Sequence, residues 1–266
     1  MSHHNKLGQE PVDRLLLSHA LAACSGMLRH AHYYAVNTVD TIFIGRFVGS
    51  EGIAAVTIAF PISLLLPTIG MAIGAGGGSI ISRSLGRKDL ETARMTFGNG
   101  FILAITLCIL ATILCFVLTD TLLSAFGATE GTLQLARDYY HIALFGIPFM
   151  GSWMSMNQML RSEGLAKQSV RSMWISSVIN IVLDAVFIAG LDMGIKGAAL
   201  ATVIAQIAGW SFNFSVYYRK ISVLRLEKPY FALQRQRAFR IVSIGSVTFG
   251  RNLGDAILLI ILNKTL

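Results

Sequence analysis

The sequence predicts an all-α integral membrane protein: a six-helix transmembrane lobe followed by the first helix of a second lobe. Three observations lead there. Hydrophobic residues make up 54% of the 266-residue chain and charged residues only 14%, against about a quarter charged in soluble domains. The apolar residues gather into seven runs, at 15–45, 53–81, 97–118, 139–160, 169–190, 195–218 and 241–262. Each is near the ~20 residues that carry a helix across a hydrocarbon core. The positive charge alternates between the connecting segments. The N-terminus and segments 82–96, 161–171 and 219–240 hold sixteen Lys and Arg; segments 46–52, 119–138 and 191–196 hold three, Arg46, Arg137 and Lys196.

That alternation is the positive-inside pattern. It puts the N-terminus in the cytoplasm and the chain, as a multi-pass protein, in the cell's inner (plasma) membrane. The net charge of +8 then belongs to loops beside anionic lipid, not to a nucleic-acid surface. A β-barrel is excluded because the runs are about twice the length of barrel strands and do not alternate. The opening "MSHHNKLGQEPVDRLLL" has no small-residue cleavage pattern, so no signal peptide is expected.

The elements follow in order. The first run carries Arg29, His30, His32, Tyr33, Asn37 and Asp40; Tyr33, Val36 and Asp40 share a face, and the run reads as a polar helix lining a water-filled cavity or as a proton relay. The second holds Pro61, Pro67 and "GMAIGAGGGS"; Gly70, Gly74 and Gly78 share a face where helices can pack closely. No Gly-Lys-Ser/Thr follows, so this is not a phosphate loop. Cys24, Cys108 and Cys115 fall in apolar runs without ligand spacing and read as small buried hydrophobes. In the fourth run Met150, Met154, Met156 and Met159, with Phe145, Phe149 and Trp153, read as packing. The fifth, "SSVINIVLDAVFIAG", contains Asn180 and Asp184. The sixth contains Thr202 and Gln206. The domains expected are 1–218, the six-helix lobe; 219–240, a basic cytoplasmic linker; and 241–266, the first helix of a second lobe. One helix after a complete set of six implies a piece of a longer protein whose second set repeats the first orientation.

A carboxylate near a helix centre costs about 2.5–3.5 kcal/mol on insertion scales and is a functional candidate by default. The candidates are Asp40, Asp184 and Asp255. The first run heads outward and ends near Gly45, the fifth heads outward and ends near Gly190, and the sixth heads inward from Ile195. At 1.5 Å per residue, Asp40, Asp184 and Thr202 then lie about 7–11 Å below the outer boundary. Asn180 is one turn below Asp184 and Gln206 one turn below Thr202. Carboxylate, amide and hydroxyl oxygens in one layer suit a hard cation such as Na⁺, or a proton held between two carboxylates. Tyr33, Asn37, Gln206 and Asp255 are a further set, for substrate or a second acidic site. No nucleophile–base pair, metal cluster or nucleotide motif points to an enzyme, and no cofactor is expected beyond that ion.

Five stretches carry a resemblance. "NTVDTIFIGR" (37–46), "SRSLGRKD" (82–89), "MLRSEGLAKQ" (159–168), "NIVLDAVFIAG" (180–190) and "GIKGAALATVIAQ" (194–206) together resemble the multidrug and toxic compound extrusion (MATE) transporters, in order and spacing, over about residues 14–218. The resemblance implies twelve helices in two six-helix lobes, alternating access, and export of cationic drug-like substrates against inward Na⁺ or H⁺. It implies coupling residues at Asp40, Asn180, Asp184 and Thr202, and sets Asp255 where one subfamily has an acidic residue in its seventh helix. The prolines usual early in the first and seventh helices are absent from "HALAACSGM" and "IGSVTFG". Two alternatives stand beside the exporter. A lipid-linked oligosaccharide flippase of the same superfamily is expected to line its cavity with several Arg, and only Arg29 and Arg251 lie inside apolar runs here, with Arg171 at the edge of one. The other is a non-transporting membrane remnant.

The topology predicts a labelling pattern. Single cysteines placed at the N-terminus and in 219–240 should react with an impermeant thiol reagent only after intact cells are permeabilised. Reaction from outside intact cells would invert the topology.

Overall fold

Lipid offers no water to a polar backbone, so apolar segments close their hydrogen bonds within helices. The computed structural model describes residues 40–265, apart from the side chains at 60, 62–64, 228 and 255–265. Helix α1 covers 40–47 and α2 Ser50–Gly86; α3 is Leu90–Val117 and the short α4 Thr119–Ala125. Helix α5 is Glu130–Ser162, and α6 is Ala166–Asp184, running on as a π-helical turn, Ala185–Gly190. Helix α7 is Gly194–Tyr218, and α8, Arg235–Thr265, follows a 3-10 turn at Lys228–Phe231. No strand occurs among the described residues. Gly49, at φ +89°, supplies the left-handed backbone that lets α1 turn into α2.

Among the described residues, four helical segments are long and apolar enough to cross a membrane: Leu65–Gly86, Leu90–Val117, Ala166–Gly190 and Gly194–Tyr218. The seven-run reading also counted 139–160 and 241–262, which fall in α5 and α8, and 15–45, most of which lies outside the described residues. The difference has a physical reason. Helix α5, at 33 residues, is about 50 Å long, but it is the core of the bundle. Its Ser152, Ser155 and Asn157 are buried against other helices, where polar side chains are tolerated as they are not against lipid. Helix α8 carries Arg235, Arg237, Arg240 and Arg251.

Helix α2 is the hub, and it packs by backbone contact. Added side chains at Gly70, Gly74 and Gly78 would all run into α5. At Gly70 a Cβ would overlap the Gly151 carbonyl; at Gly74 it would stand 2.8 Å from the Ser155 Cα; at Gly78 it would overlap the Ser162 hydroxyl. The opposite side of α2 meets α8 reciprocally: Gly76 lies on the Ile241 carbonyl and Gly245 on the Ala72 carbonyl. Gly77 of α2 and Gly100 of α3 together make the notch that takes the Met159 methyl. Met156 and Met159 are fully buried, so that part of the methionine run is packing.

One end of the bundle carries the α2–α3 turn, the α5–α6 turn and the stretch after α7; it is the basic end. There residues 219–234 are strapped onto α3. Arg94 Nε donates to the Val223 carbonyl at 3.0 Å. The Asn99 amide donates to Ala232 at 3.1 Å and accepts from the Gln234 N–H at 2.7 Å. Arg237 donates to the Thr92 carbonyl at 3.2 Å and to the Thr96 hydroxyl at 3.3 Å. Helix α8 begins at Arg235, inside the stretch read from the sequence as linker. Glu163, in the α5–α6 turn, holds the start of the strap: the Ser222 hydroxyl donates to both its carboxylate oxygens, at 2.7 and 2.8 Å. Burial pushes the Glu163 carboxyl up to about 7, against the Ser222 hydroxyl and the Val223 and Leu224 N–H groups, which favour the charged form.

Two predictions come from this packing. Gly74→Leu should lower the thermal stability of the detergent-solubilised chain, at a cost of about 1–3 kcal/mol or more for wedging two backbones apart; unchanged melting would mean that the glycine face does not bear on α5. For Glu163 the sign is fixed by its raised value: the native state holds the proton more tightly than the unfolded chain. Its contribution is complete below the ordinary glutamate range and lost as pH rises through about 7. Melting temperature should therefore fall between about pH 5 and pH 8, and Glu163→Gln should flatten that part of the profile. An unaltered profile in Glu163→Gln would assign the titration elsewhere.

Candidate cation site

Asp40 opens the described part of α1, and Asp184 closes the α-helical part of α6. Their carboxyl groups lie within hydrogen-bonding reach of each other. Asp184 is 0% exposed. Among the described residues, neither of its side-chain oxygens receives a hydrogen bond, and nor does Oδ1 of Asp40. Ionised carboxylates only accept. Two of them side by side in a low-dielectric interior require a proton between them or a cation beside them. Asn180, one turn away on α6, is also buried, and its amide nitrogen has no partner.

Ile44, Ile188 and Ala198 form a small buried cluster that fixes the layer. Ile44 is one turn beyond Asp40 on α1, and Ile188 one turn beyond Asp184. Ala198 precedes Thr202 by one turn on α7, which runs the other way, and its carbonyl accepts from the Thr202 hydroxyl at 3.0 Å. Asp40, Asp184 and Thr202 therefore lie beneath one apolar cap, on the side away from the far end of the bundle. The π-helical turn starts directly after Asp184 and carries Ile188, which is 1% exposed. Such wide turns recur at functional positions; nothing in "AVFIAG" announces one.

Gln206 is turned to α5: its amide donates to Met150 Sδ at 3.4 Å, and its oxygen lies against Gly146. It does not join the carboxylates. Tyr33 and Asn37 lie outside the described residues, as do Arg29, His30, His32 and Cys24. Asp255 lies in α8, with its side chain among those not described. Among the described residues no three His, Cys, Asp or Glu come together as a metal cluster; the layer offers two carboxyls, an amide and a hydroxyl.

The sequence reading missed one feature. The buried residues of α6 are Ser169, Ser172, Ser176, Asn180 and Asp184, every one polar. Trp174, Val178, Val182 and Val186 on the same helix and its extension are exposed. The helix is inverted, polar inside and apolar outside, as lipid-facing helices around a polar interior are. The spacing of these serines in the sequence was the available signal.

Comparison with known proteins gives consistent results. The MatE family model matches residues 27–186. A FAD transporter of Shewanella oneidensis is 29% identical over 242 residues, covering 90% of this chain and 52% of that protein. The multidrug export protein MepA of Staphylococcus aureus is 29% identical over 226 residues, covering 83% of this chain and 49% of that one. The inward-facing conformation of a multidrug resistance MATE family transporter of the MOP superfamily superposes with a TM-score of 0.78 at 28% identity, over 84% of this chain and 50% of that one. An outward-facing structure of such a transporter gives 0.82 at 27% identity, over 88% and 52%. The chain spans about half the length of the curated relatives it matches.

Proposed function

The chain belongs to the MatE family, and on that footing we propose that it is one lobe of a cation-coupled exporter of organic cations. The observation that carries the reading is the fully buried Asp184 beside Asp40, with no hydrogen-bond donor among the described residues for either Asp184 oxygen or for Oδ1 of Asp40. In this reading Na⁺ or H⁺ binds there, with Asn180 and Thr202 supplying neutral oxygens. Binding neutralises a charge that the interior otherwise opposes, so the loaded and empty states favour different packings of α1 against α6. A second lobe in the same orientation completes the substrate cavity, and alternating access links ion binding on one side to drug release on the other. The basic end faces the cytoplasm of a cell whose inner membrane holds the protein, which the Lys and Arg distribution supports.

A second substrate reading, export of a flavin dinucleotide, is favoured by similarity to the Shewanella protein across 90% of this chain. The flippase reading has less support, because the relatives above are named for drug and flavin transport.

The test is efflux by the protein with its second lobe, driven by an imposed Na⁺ or H⁺ gradient. Asp184→Asn is nearly isosteric and removes a buried charge, so the fold and expression should hold. Gradient-driven efflux of a cationic dye should fall to background, and Asp40→Asn should do the same. The double variant should be no worse than either single one, as for groups acting as a unit. Full efflux by well-expressed Asp184→Asn would make the pair structural. Efflux of FAD but not of the dye would select the second substrate.

A further inference from the structure

The polar face of α6 reaches from Ser169 to Asp184, about 22 Å along the helix. Serines by themselves only allow helices to pack closely. The residues opposite them ask for more. Asn157 of α5 is 2% exposed and Asn213 of α7 is 0% exposed. The Ser172 hydroxyl donates to Asn157 Oδ1 at 3.1 Å. The Asn157 amide nitrogen, both polar atoms of the Asn213 side chain and the Asn180 amide nitrogen have no hydrogen-bond partner among the described residues. Gly209, one turn from Asn213, meets both Trp153 and Ser176. Unpaired buried amides are costly, and in protein interiors such groups are where water is held. At the basic end the face begins at Arg161, whose Nη1 donates to the Ser169 hydroxyl at 2.8 Å. At the far end it stops under Ile44, Ile188 and Ala198.

Trp153 divides this face. Its indole N–H donates to the Ser172 hydroxyl at 3.2 Å, and its ring fills the notch left by Gly209, where a Cβ would stand 2.7 Å from the ring. On one side of it lie Ser169, Ser172, Asn157 and Asn213; on the other lie Ser176, Asn180 and Asp184.

We propose that the buried face of α6 is a hydrated proton route from the basic end of the bundle to Asp184, gated by Trp153 and closed at the far end by the Ile44–Ile188–Ala198 cap. The inference rests on the reading of Asp40 and Asp184 as the coupling site, and it names the path by which that site exchanges its ion. Hydroxyls and amides both donate and accept, so together with water they relay protons. A hard metal ion wants a cage of about six or more oxygens, which single side chains along one helix do not build. The indole is held there by its hydrogen bond to Ser172 and by shape, so it can leave without unmaking the helix contacts beneath it.

Two gates in series give a sharp test. The purified chain is reconstituted in liposomes with a trapped pH dye, and a potential is set with K⁺ and valinomycin. Trp153→Ala alone and Ile188→Ser alone should stay as tight as the unaltered chain. The double variant should pass protons at least about tenfold faster, and Asn157→Leu added to it should restore tightness. A tight double variant overturns the route, and so does a leak indifferent to Asn157→Leu; Na⁺ flux in place of proton flux overturns the proton assignment. Should the double variant not elute as a monodisperse protein, thiol labelling decides. With Cys24, Cys108 and Cys115 replaced, Asn157→Cys and Asn213→Cys should react with 2-aminoethyl methanethiosulfonate added at the basic end. Ser176→Cys should react at least about tenfold faster when Trp153 is Ala. Silence at Asn157→Cys and Asn213→Cys removes the route. The efflux of Asp184→Asn tests the coupling site separately: normal efflux there, with labelling as expected here, leaves the route and removes the site.

Discussion

Two carboxyl groups within hydrogen-bonding reach of each other, inside a bundle of apolar helices, set the terms for the surrounding structure. Asp40 and Asp184 cannot both stay charged and unaccompanied, because neither can donate to the other and little solvent screens them. The protein's answer lies in what surrounds the pair. Asp184 is fully buried, and the pair is not neutralised by a neighbouring Lys or Arg among the described salt bridges, which join Arg137 to Asp120, Lys196 to Asp138 and Arg225 to Glu227. The cap above is apolar, and the helix face below carries neutral groups that can donate or accept.

Holding such a pair in register requires helices that do not drift. In lipid no hydrophobic force pushes helices together, so close packing of small residues carries the load. Gly70, Gly74 and Gly78 bring α2 onto the backbone of α5, and Gly76 and Gly245 bring it onto α8. In packing, α8 is continuous with the helices before it, although a basic stretch separates them in sequence. That stretch is also held, by Arg94, Asn99 and Arg237.

Much of this was legible from the residues. Apolar runs gave the helices, the spacing of glycines by four gave a face for close helix packing, which the structure sets against α5, and acids inside apolar runs gave the candidate site. The misreadings share a cause, since hydropathy reports the solvent a helix faces and not the neighbours it has. Helix α5 scores low on hydropathy because its Ser152, Ser155 and Asn157 are buried against other helices and not set against lipid. The serines of α6 were passed over because each is unremarkable alone; only their common burial separates them from Ser177, on another face. The π-helical turn after Asp184 depends on how α6 meets α7 and has no local signature. The Glu163 contact with Ser222 joins residues far apart in sequence, so no motif could pair them.

The α5–α6 turn ties these parts together. Arg161 and Glu163 leave it in different directions. Arg161 reaches the foot of α6 at Ser169 and its own helix at Gln158. Glu163 reaches the strap at Ser222. Tyr217, at the end of α7, closes the triangle by donating to the Met156 carbonyl at 3.0 Å. The foot of the polar face and the start of the strap therefore share one small buried support. Displacing the strap from Glu163 would leave a buried carboxyl without its hydroxyl donor two residues from Arg161, and that cost falls on the turn from which α6 begins. The polar face and the connection to the rest of the chain are thus mechanically one unit, although no residue of the strap touches the carboxyl pair.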